Sequence, residues 1–542
     1  MQPKSLHPII YVRGYAMTQG EIEDTVADPY MGFNLGSTKV RQLWDRKVKK
    51  LFFESPLVRL MKQYGYRDVY DDGIDQVGGE ADQGVSVPYR SIVVYRYYEP
   101  SSNEIGESVK PDIQNFAKGL GTLIERLRDR IYPDGAKTKL SKEEIEAGKL
   151  PYEDFRVYLV AHSMGGLVCR AFLQNPKLGD AATRRLVDKV FTYATPHNGI
   201  DVRGLGNLPE WLSWMGMNTF NRDVMAKYLG LKESDREDGA VDIVTGFDPD
   251  RIFNLVGTNP GDYRVAAGLA SFGAAETSDG LVRIANATTR GWEDGVLKSS
   301  PNAFVNRSHS GHFGIVNSEE GFQNLVRFLF GDIRADGYLD IDELTLPPDV
   351  QKEMDAGKDV RASYLFEVTV SIRGKQWQLH RRTASENSAI FRMYDELFPN
   401  RKRGDRKPDR SKSPLLFNVF MDLSQRIDPR RKSVAFAADI CVRVPEYEVK
   451  GLLFLRNHFE GGYLFRDLIT IEATPPVTPE GEYDPTGSWK IQYQFASQRD
   501  TGPQLAEITE DEEQLTFTIP IEQPKPPGIQ AKLRVVTTFW NR

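Results

Sequence analysis

Two patterns of apolar and polar positions divide the chain. Up to about residue 345, short apolar runs of strand length at 9–12, 92–97, 157–161, 190–193 and 252–256 alternate with helical patterns at 113–131, 167–174 and 321–330. Continuous apolar strands alternating with helices predict a mostly parallel sheet covered on both faces. Two stretches are too long for plain connections: about 21–90, which contains Leu51, Phe52, Phe53, Leu57 and Leu60, and about 200–240. Both are expected to be insertions with structure of their own.

Beyond residue 350 helical patterning becomes scarce. Alternating runs rich in Val, Ile, Phe, Tyr and Thr fall at 364–372, 415–423, 434–444, 464–473, 489–495, 515–521 and 533–539, with turn residues between them. These predict an antiparallel β-sandwich. The expected organisation is an α/β catalytic domain over 1–345, a linker over 346–362 around Pro347 and Pro348, and an all-β domain over 363–542, in a binding or accessory role.

Bulk chemistry narrows the classes. At 542 residues the chain exceeds one ordinary core. A net charge of -6 gives no reason to expect a nucleic-acid partner. Cys169 and Cys441 are the two cysteines, too few for a disulfide framework. The apolar run at 9–12 stops at Arg13, which is no signal peptide, and no stretch reaches the roughly 18 apolar residues of a membrane span. The expectation is a cytoplasmic protein, or one exported without a signal peptide. Oligomeric state is left open.

The candidate chemistry centres on Val160-Ala161-His162-Ser163-Met164-Gly165-Gly166, where an apolar strand runs through a turn of small residues into an amphipathic helix. A nucleophilic serine presented on such a turn needs small neighbours two residues before and after, so that strand and helix can approach. Ala161 and Gly165 meet that need. The N–H of Met164, at the helix N-terminus, is a candidate oxyanion donor, and the N–H of Tyr15, just past Gly14, is the second. A base is expected downstream in "SHSGHFGIVNS", where His309 and His312 compete. His312 is preferred, because it follows a Gly and Ile315 and Val316 can pin the loop behind it. For the carboxylate that orients the base, Asp279 in "ETSDGLV" is favoured over Asp262.

These islands resemble bacterial lipases of the α/β-hydrolase superfamily. "AHSMGG" is similar to the Ala-variant elbow of small Bacillus lipases, "GHFGIVNS" to their catalytic-histidine loop, and "SDGLV" to the acid-bearing segment of larger bacterial lipases. "ATPHNG" at 194–199 resembles a segment of lecithin–cholesterol acyltransferase-like and GPI-inositol-deacylase-like proteins. The resemblance implies an α/β-hydrolase fold with helical insertions or a cap, and a serine lipase, phospholipase or esterase working through Ser163, His312 and Asp279 without a cofactor. Arg13 departs from it, standing where such lipases carry His. Two other readings remain: a non-catalytic lipid- or protein-binding scaffold, and an antibacterial phospholipase effector.

Three further features bear on substrate and partners. Trp211, Leu212, Trp214, Met215 and Phe220 could form a lid over an acyl pocket, or a fixed cap. Asp332, Asp336, Asp340 and Glu343 match part of a calcium loop, although Arg334 and the prolines at 347 and 348 count against it and the same stretch also reads as an alternating strand. Arg401, Lys402, Arg403, Arg406 and Lys407 form a solvated loop or a peripheral contact with an anionic membrane.

Overall fold

The computed structural model describes residues 5–14, 38–42, 48–52, 56–71, 74–75, 77, 87–95, 97, 112–200, 219–259, 279, 282–309, 314–399, 407–424, 433–450, 456–476, 478, 484, 487–511 and 514–541. Two compact units divide the chain: Met1–Asn302 with Asn306–Phe330, and Gly331–Arg542 with Ala303–Val305.

The first unit is mixed α/β around a central sheet. The strands of that sheet are β1 (Ile9–Val12), β2 (Arg67–Asp68), β3 (Ser91–Val94), β4 (Val157–His162), β5 (Val187–Tyr193), β6 (Ile252–Gly257) and β7 (Asn302–Val305), of which 303–305 are grouped with the second unit. The order across the sheet is β7-β6-β5-β4-β1-β3-β2, and every pairing from β6 to β2 is parallel. Every residue of β1, β4 and β6 is buried, as strands covered on both faces require. Growth of the sheet reverses between β1 and β4. In open parallel sheets, the crevice beyond the strand ends at such a reversal is where ligands bind.

Helices α1 (Ile113–Ile131), α2 (Met164–Gln174) and α3 (Glu319–Phe330) belong to this unit. The Asp112 carboxylate caps α1 by accepting from the N–H of Gln114 at 2.9 Å. Every residue of α2 is buried, and α1 packs on it where Gly121 admits the ring of Phe172. Lys189 of β5 points into the interior and donates to the carbonyls of Phe328 and Leu329 at 3.4 and 3.0 Å, at the C-terminal end of α3. A cation suits the negative end of a helix. Burial nevertheless pushes the Lys189 ammonium down to about 7.

The second unit is built from antiparallel sheets. Its strands are β8 (Ile333–Thr345), β9 (Val360–Ile372), β10 (Gln378–Arg382), β11 (Ile390–Met393), β12 (Leu415–Met421), β13 (Val434–Lys450), β14 (Arg456–Thr474), β15 (Lys490–Phe495), β16 (Gln504–Leu505), β17 (Glu507–Glu510), β18 (Gln514–Gln523) and β19 (Gly528–Phe539). One sheet has the order β12-β8-β19-β18-β17 and the other β10-β9-β13-β14-β15-β16, with β11 on β9. Leu339, Ile519 and Leu533 of the first share a buried cluster with Phe366, Ile440 and Ile469 of the second. Alternation sends every second residue into that layer, so β9 is buried at each even position from Val360 to Ile372.

Two expectations are corrected here. The division between units falls at Phe330/Gly331, ahead of the expected linker, because β8 is paired along its length with β19. The stretch read as a possible calcium loop is this strand. At ~3.3 Å per residue, Asp332 and Glu343 stand roughly 35 Å apart and cannot converge on one ion. The Asp332 carboxylate accepts from the N–H of Leu423 at 2.7 Å, Asp336 from the side-chain amide of Asn418 at 2.6 Å, and Asp340 from Arg534 Nε at 2.6 Å, while Glu343 is exposed. Among the described residues, no group of three or more His, Cys, Asp or Glu is placed to hold a metal.

Candidate active site

Ser163 follows β4 and precedes the first residue of α2, at φ 54° and ψ -127°. A side chain other than Gly rarely adopts positive φ, and at a strand-to-helix turn it projects the hydroxyl past the sheet edge. The neighbours hold this conformation. The Ser163 N–H donates to the carbonyl of Tyr193 at 2.9 Å, and the Thr195 hydroxyl donates to the Ser163 carbonyl at 2.8 Å. The turn is crowded on the side of β1. A Cβ on Gly165 would lie 2.1 Å from the Val12 carbonyl oxygen, and one on Gly14 would lie 2.5 Å from the Ser163 Cβ.

Downstream residues complete a chain of hydrogen bonds. Ser163 Oγ stands 3.0 Å from His309 Nε2, and His309 Nδ1 stands 3.0 Å from Asp279 Oδ2. Because a carboxylate only accepts, Nδ1 carries the hydrogen and Nε2 faces the serine hydroxyl as an acceptor. Ser163 is half-buried, whereas His309 and Asp279 are buried at 3% and 1% exposure. Asp279 is fixed from both sides: its Oδ1 accepts from the N–H of Val282 at 2.8 Å, and its carbonyl accepts from the N–H of His309 at 3.0 Å. Gly257, at the end of β6, makes room, since a Cβ there would sit 2.9 Å from that of Asp279.

The histidine bonded to both partners is thus His309, not the His312 preferred from sequence, and His312 lies outside the described residues. The loop that carries His309 is closed at its base by a bridge between Ser308 and Gly314 and by the Ile315 N–H on the Ser308 carbonyl at 2.9 Å. That closure holds His309 at the sheet edge. Asp262, the alternative acid, also lies outside the described residues, as do Tyr15, Trp211, Leu212, Trp214 and Met215. Phe220 is buried at 5% exposure. Of the basic cluster, Arg401, Lys402, Arg403 and Arg406 lie outside the described residues, and Lys407 is exposed.

Met164 is the first residue of α2, where a helix has no internal acceptor for its N–H. Sequence reasoning missed the supporting contacts of three residues. Thr195 fixes the Ser163 carbonyl, and its signal was the already noted "ATPHNG" segment. Arg170 is fully buried in α2 and donates to the carbonyls of His197, Val241 and Ile243 at 2.8–2.9 Å, tying the helix that follows Ser163 to two neighbouring segments. Burial pushes its guanidinium down to about 10. His162 sits at 7% exposure with Nε2 2.9 Å from the His309 carbonyl oxygen, so Nε2 is the donor. Burial, and then His309 beside it, hold the His162 imidazole well below its ordinary value, which keeps it neutral.

No helix among the described residues is long and apolar enough to cross a membrane. No protein-family model matches the chain, and no curated protein matches it. Among solved structures, the chain is similar to the crystal structure of a Bacillus licheniformis lipase in its propeptide form, at 11% identity and a TM-score of 0.30, over 89% of this chain and 96% of that one.

Proposed function

We propose that this protein is a serine hydrolase of carboxylic esters with an α/β-hydrolase catalytic unit, in which Ser163 is the nucleophile, His309 the general base and Asp279 the orienting acid. The carrying observation is the pair of 3.0 Å contacts linking Ser163 Oγ, His309 and Asp279, with the serine at positive φ beyond a parallel strand. Ser163 Oγ attacks the acyl carbonyl carbon while its proton passes to His309 Nε2. Asp279 stabilises the resulting imidazolium. The oxyanion accepts from the Met164 N–H, with the Tyr15 N–H as the second donor on the sequence reading. Collapse expels the alkoxide, which takes the proton from His309. Water activated by the same base then releases the acid and frees Ser163. An acyl-lipid substrate rests on the apolar 211–220 segment of the sequence.

A fluorophosphonate probe is expected to label the intact protein once, on the peptide bearing Ser163, and p-nitrophenyl esters of graded chain length are expected to be hydrolysed. Rates that climb with chain length mark a lipase, and rates that favour acetate mark a short-chain esterase. A protein that neither takes the label nor turns over any ester would leave the scaffold reading in its place.

His162 is assigned a positioning role, because its N–H holds the backbone of the base. His162→Phe leaves the buried His309 carbonyl without this donor and is expected to lower kcat about 10-fold with KM nearly unchanged, as a cost of 1–3 kcal/mol in positioning implies. His162→Gln, which keeps an N–H donor, should recover part of the loss. If both variants match the parent enzyme in kcat, the role is refuted.

A further inference from the structure

The segment that carries His309 is tied to α3 by a pair of side chains. Arg307 stands two residues ahead of the base, and Glu320 is the second residue of α3. Two N–H groups of the guanidinium meet two carboxylate oxygens: Nε donates to Oε2 and Nη2 to Oε1, each at 3.1 Å. Such a fork fixes direction as well as distance, which a single ammonium cannot do. Both side chains are half-buried, so solvent screens the pair less than it would on an open surface. An acid in the first turn also suits the positive end of the helix. The main chain of Arg307 is fixed as well. Its carbonyl accepts from the N–H of Asn259 at 3.2 Å, and a Cβ on Gly257 would lie 2.5 Å from its oxygen. On the other side α3 begins hard against the same loop, since a Cβ on Gly321 would lie 2.3 Å from the Ile315 carbonyl oxygen.

His309 has little room for error, because it must meet Ser163 Oγ and Asp279 Oδ2 at 3.0 Å each. A displacement of about 1 Å in such a group can cost on the order of 100-fold in rate. We infer that Arg307 is a positioning residue for the general base, acting through Glu320, a role that rests on the assignment of Ser163, His309 and Asp279 above. The fork sets the segment of the base against the end of α3, and the hydrogen bonds of His309 then set the ring. Glu319, the preceding residue, supplies the contrast. It takes its own fork from Arg59, at 2.8 and 3.1 Å, and that guanidinium lies 3.5 Å from the centroid of the Phe322 ring. The chemistry and the helix end are the same, but this pair joins α3 to the helix at Pro56–Tyr64 instead of to the segment of the base.

The test compares full-length variants by p-nitrophenyl ester kinetics, by the rate of fluorophosphonate labelling and by thermal melts. Arg307→Met is expected to lower kcat about 10-fold and Glu320→Gln about 5-fold, each with KM within about twofold of the parent. Labelling of Ser163 should slow in step, because it needs the same base. The double variant should be no slower than Arg307→Met alone, since the two side chains act as one unit. Arg307→Lys keeps the charge without the fork and should recover part of the loss. Arg59→Met should lower the melting temperature at least as much as Arg307→Met, with kcat within about twofold of the parent. An unchanged kcat in Glu320→Gln, multiplying losses in the double variant, or an equal kcat loss in Arg59→Met each overturns the positioning role and leaves the catalytic assignment standing. A parent protein that neither turns over esters nor takes the label overturns that assignment, and the role with it. Glu320→Gln is nearly isosteric and decides the matter even if Arg307→Met fails to fold.

Discussion

Ser163→Ala is expected to lower ester hydrolysis by about 10,000-fold or more while leaving the melting temperature within a few degrees of the parent. The side chain is half-buried and packs little, so its loss removes chemistry rather than core. His309→Ala should match that loss. His312→Ala should stay within about threefold of the parent, because among the described residues it is His309 that bridges Ser163 and Asp279. Residues that act as a unit are non-additive, so the Ser163/His309 double variant should be no slower than either single one. Steady-state kinetics with a p-nitrophenyl ester, paired with thermal melts, reads all four. An inactive His312 variant beside an active His309 variant would reverse the assignment of the base.

A large effect on stability is expected at Gly165. In an ordinary helix Gly→Ala stabilises by about 1 kcal/mol. Here the added methyl would lie 2.1 Å from the Val12 carbonyl oxygen and 2.8 Å from that of Arg13. Both are backbone atoms of or beside β1, a buried strand paired on both edges, so neither can swing aside. Gly165→Ala is therefore expected to destabilise by about 2–3 kcal/mol and to displace Ser163 from His309, removing most activity in whatever fraction stays folded. Gly462→Ala is the matched control. A Cβ there meets nothing within 4 Å, and its effect should fall within about 0.5 kcal/mol. Chemical denaturation of the two variants makes the comparison, and equal midpoints would show that β1 yields.

Much of this arrangement is legible in the order of residues. Small residues around Ser163 encode the close approach of strand and helix, and that requirement is local in sequence. The alternating runs of the second unit encode their faces in the same way, and β9, β12, β13, β14, β15, β18 and β19 each overlap an expected run. What stayed hidden depends on distant partners. His309 and His312 are three residues apart in one polar loop, and the choice between them is made by the bridge from Ser308 to Gly314 and by the Asp279 backbone. The strand β8 carries acids at loop-like spacing and an alternating pattern as well, and pairing with residues nearly two hundred positions later decides between the two readings. Arg170 acts through backbone carbonyls, which leave no mark on side-chain patterns.

That last pairing bears on the order of events during synthesis. The first unit is complete in the nascent chain once Phe330 has emerged, but β8 cannot find β19 until much later, since Thr345 faces Gly528 across the sheet, 183 residues on. At ~5–20 residues per second this is a wait of about 10–40 s. Through that interval one edge of a 13-residue strand has no mate, on a ribosome crowded with identical chains in the same condition. The aspartates and Glu343 spaced along β8 place charge on that waiting edge. Repulsion between like-charged copies would then protect the nascent protein before any fold does.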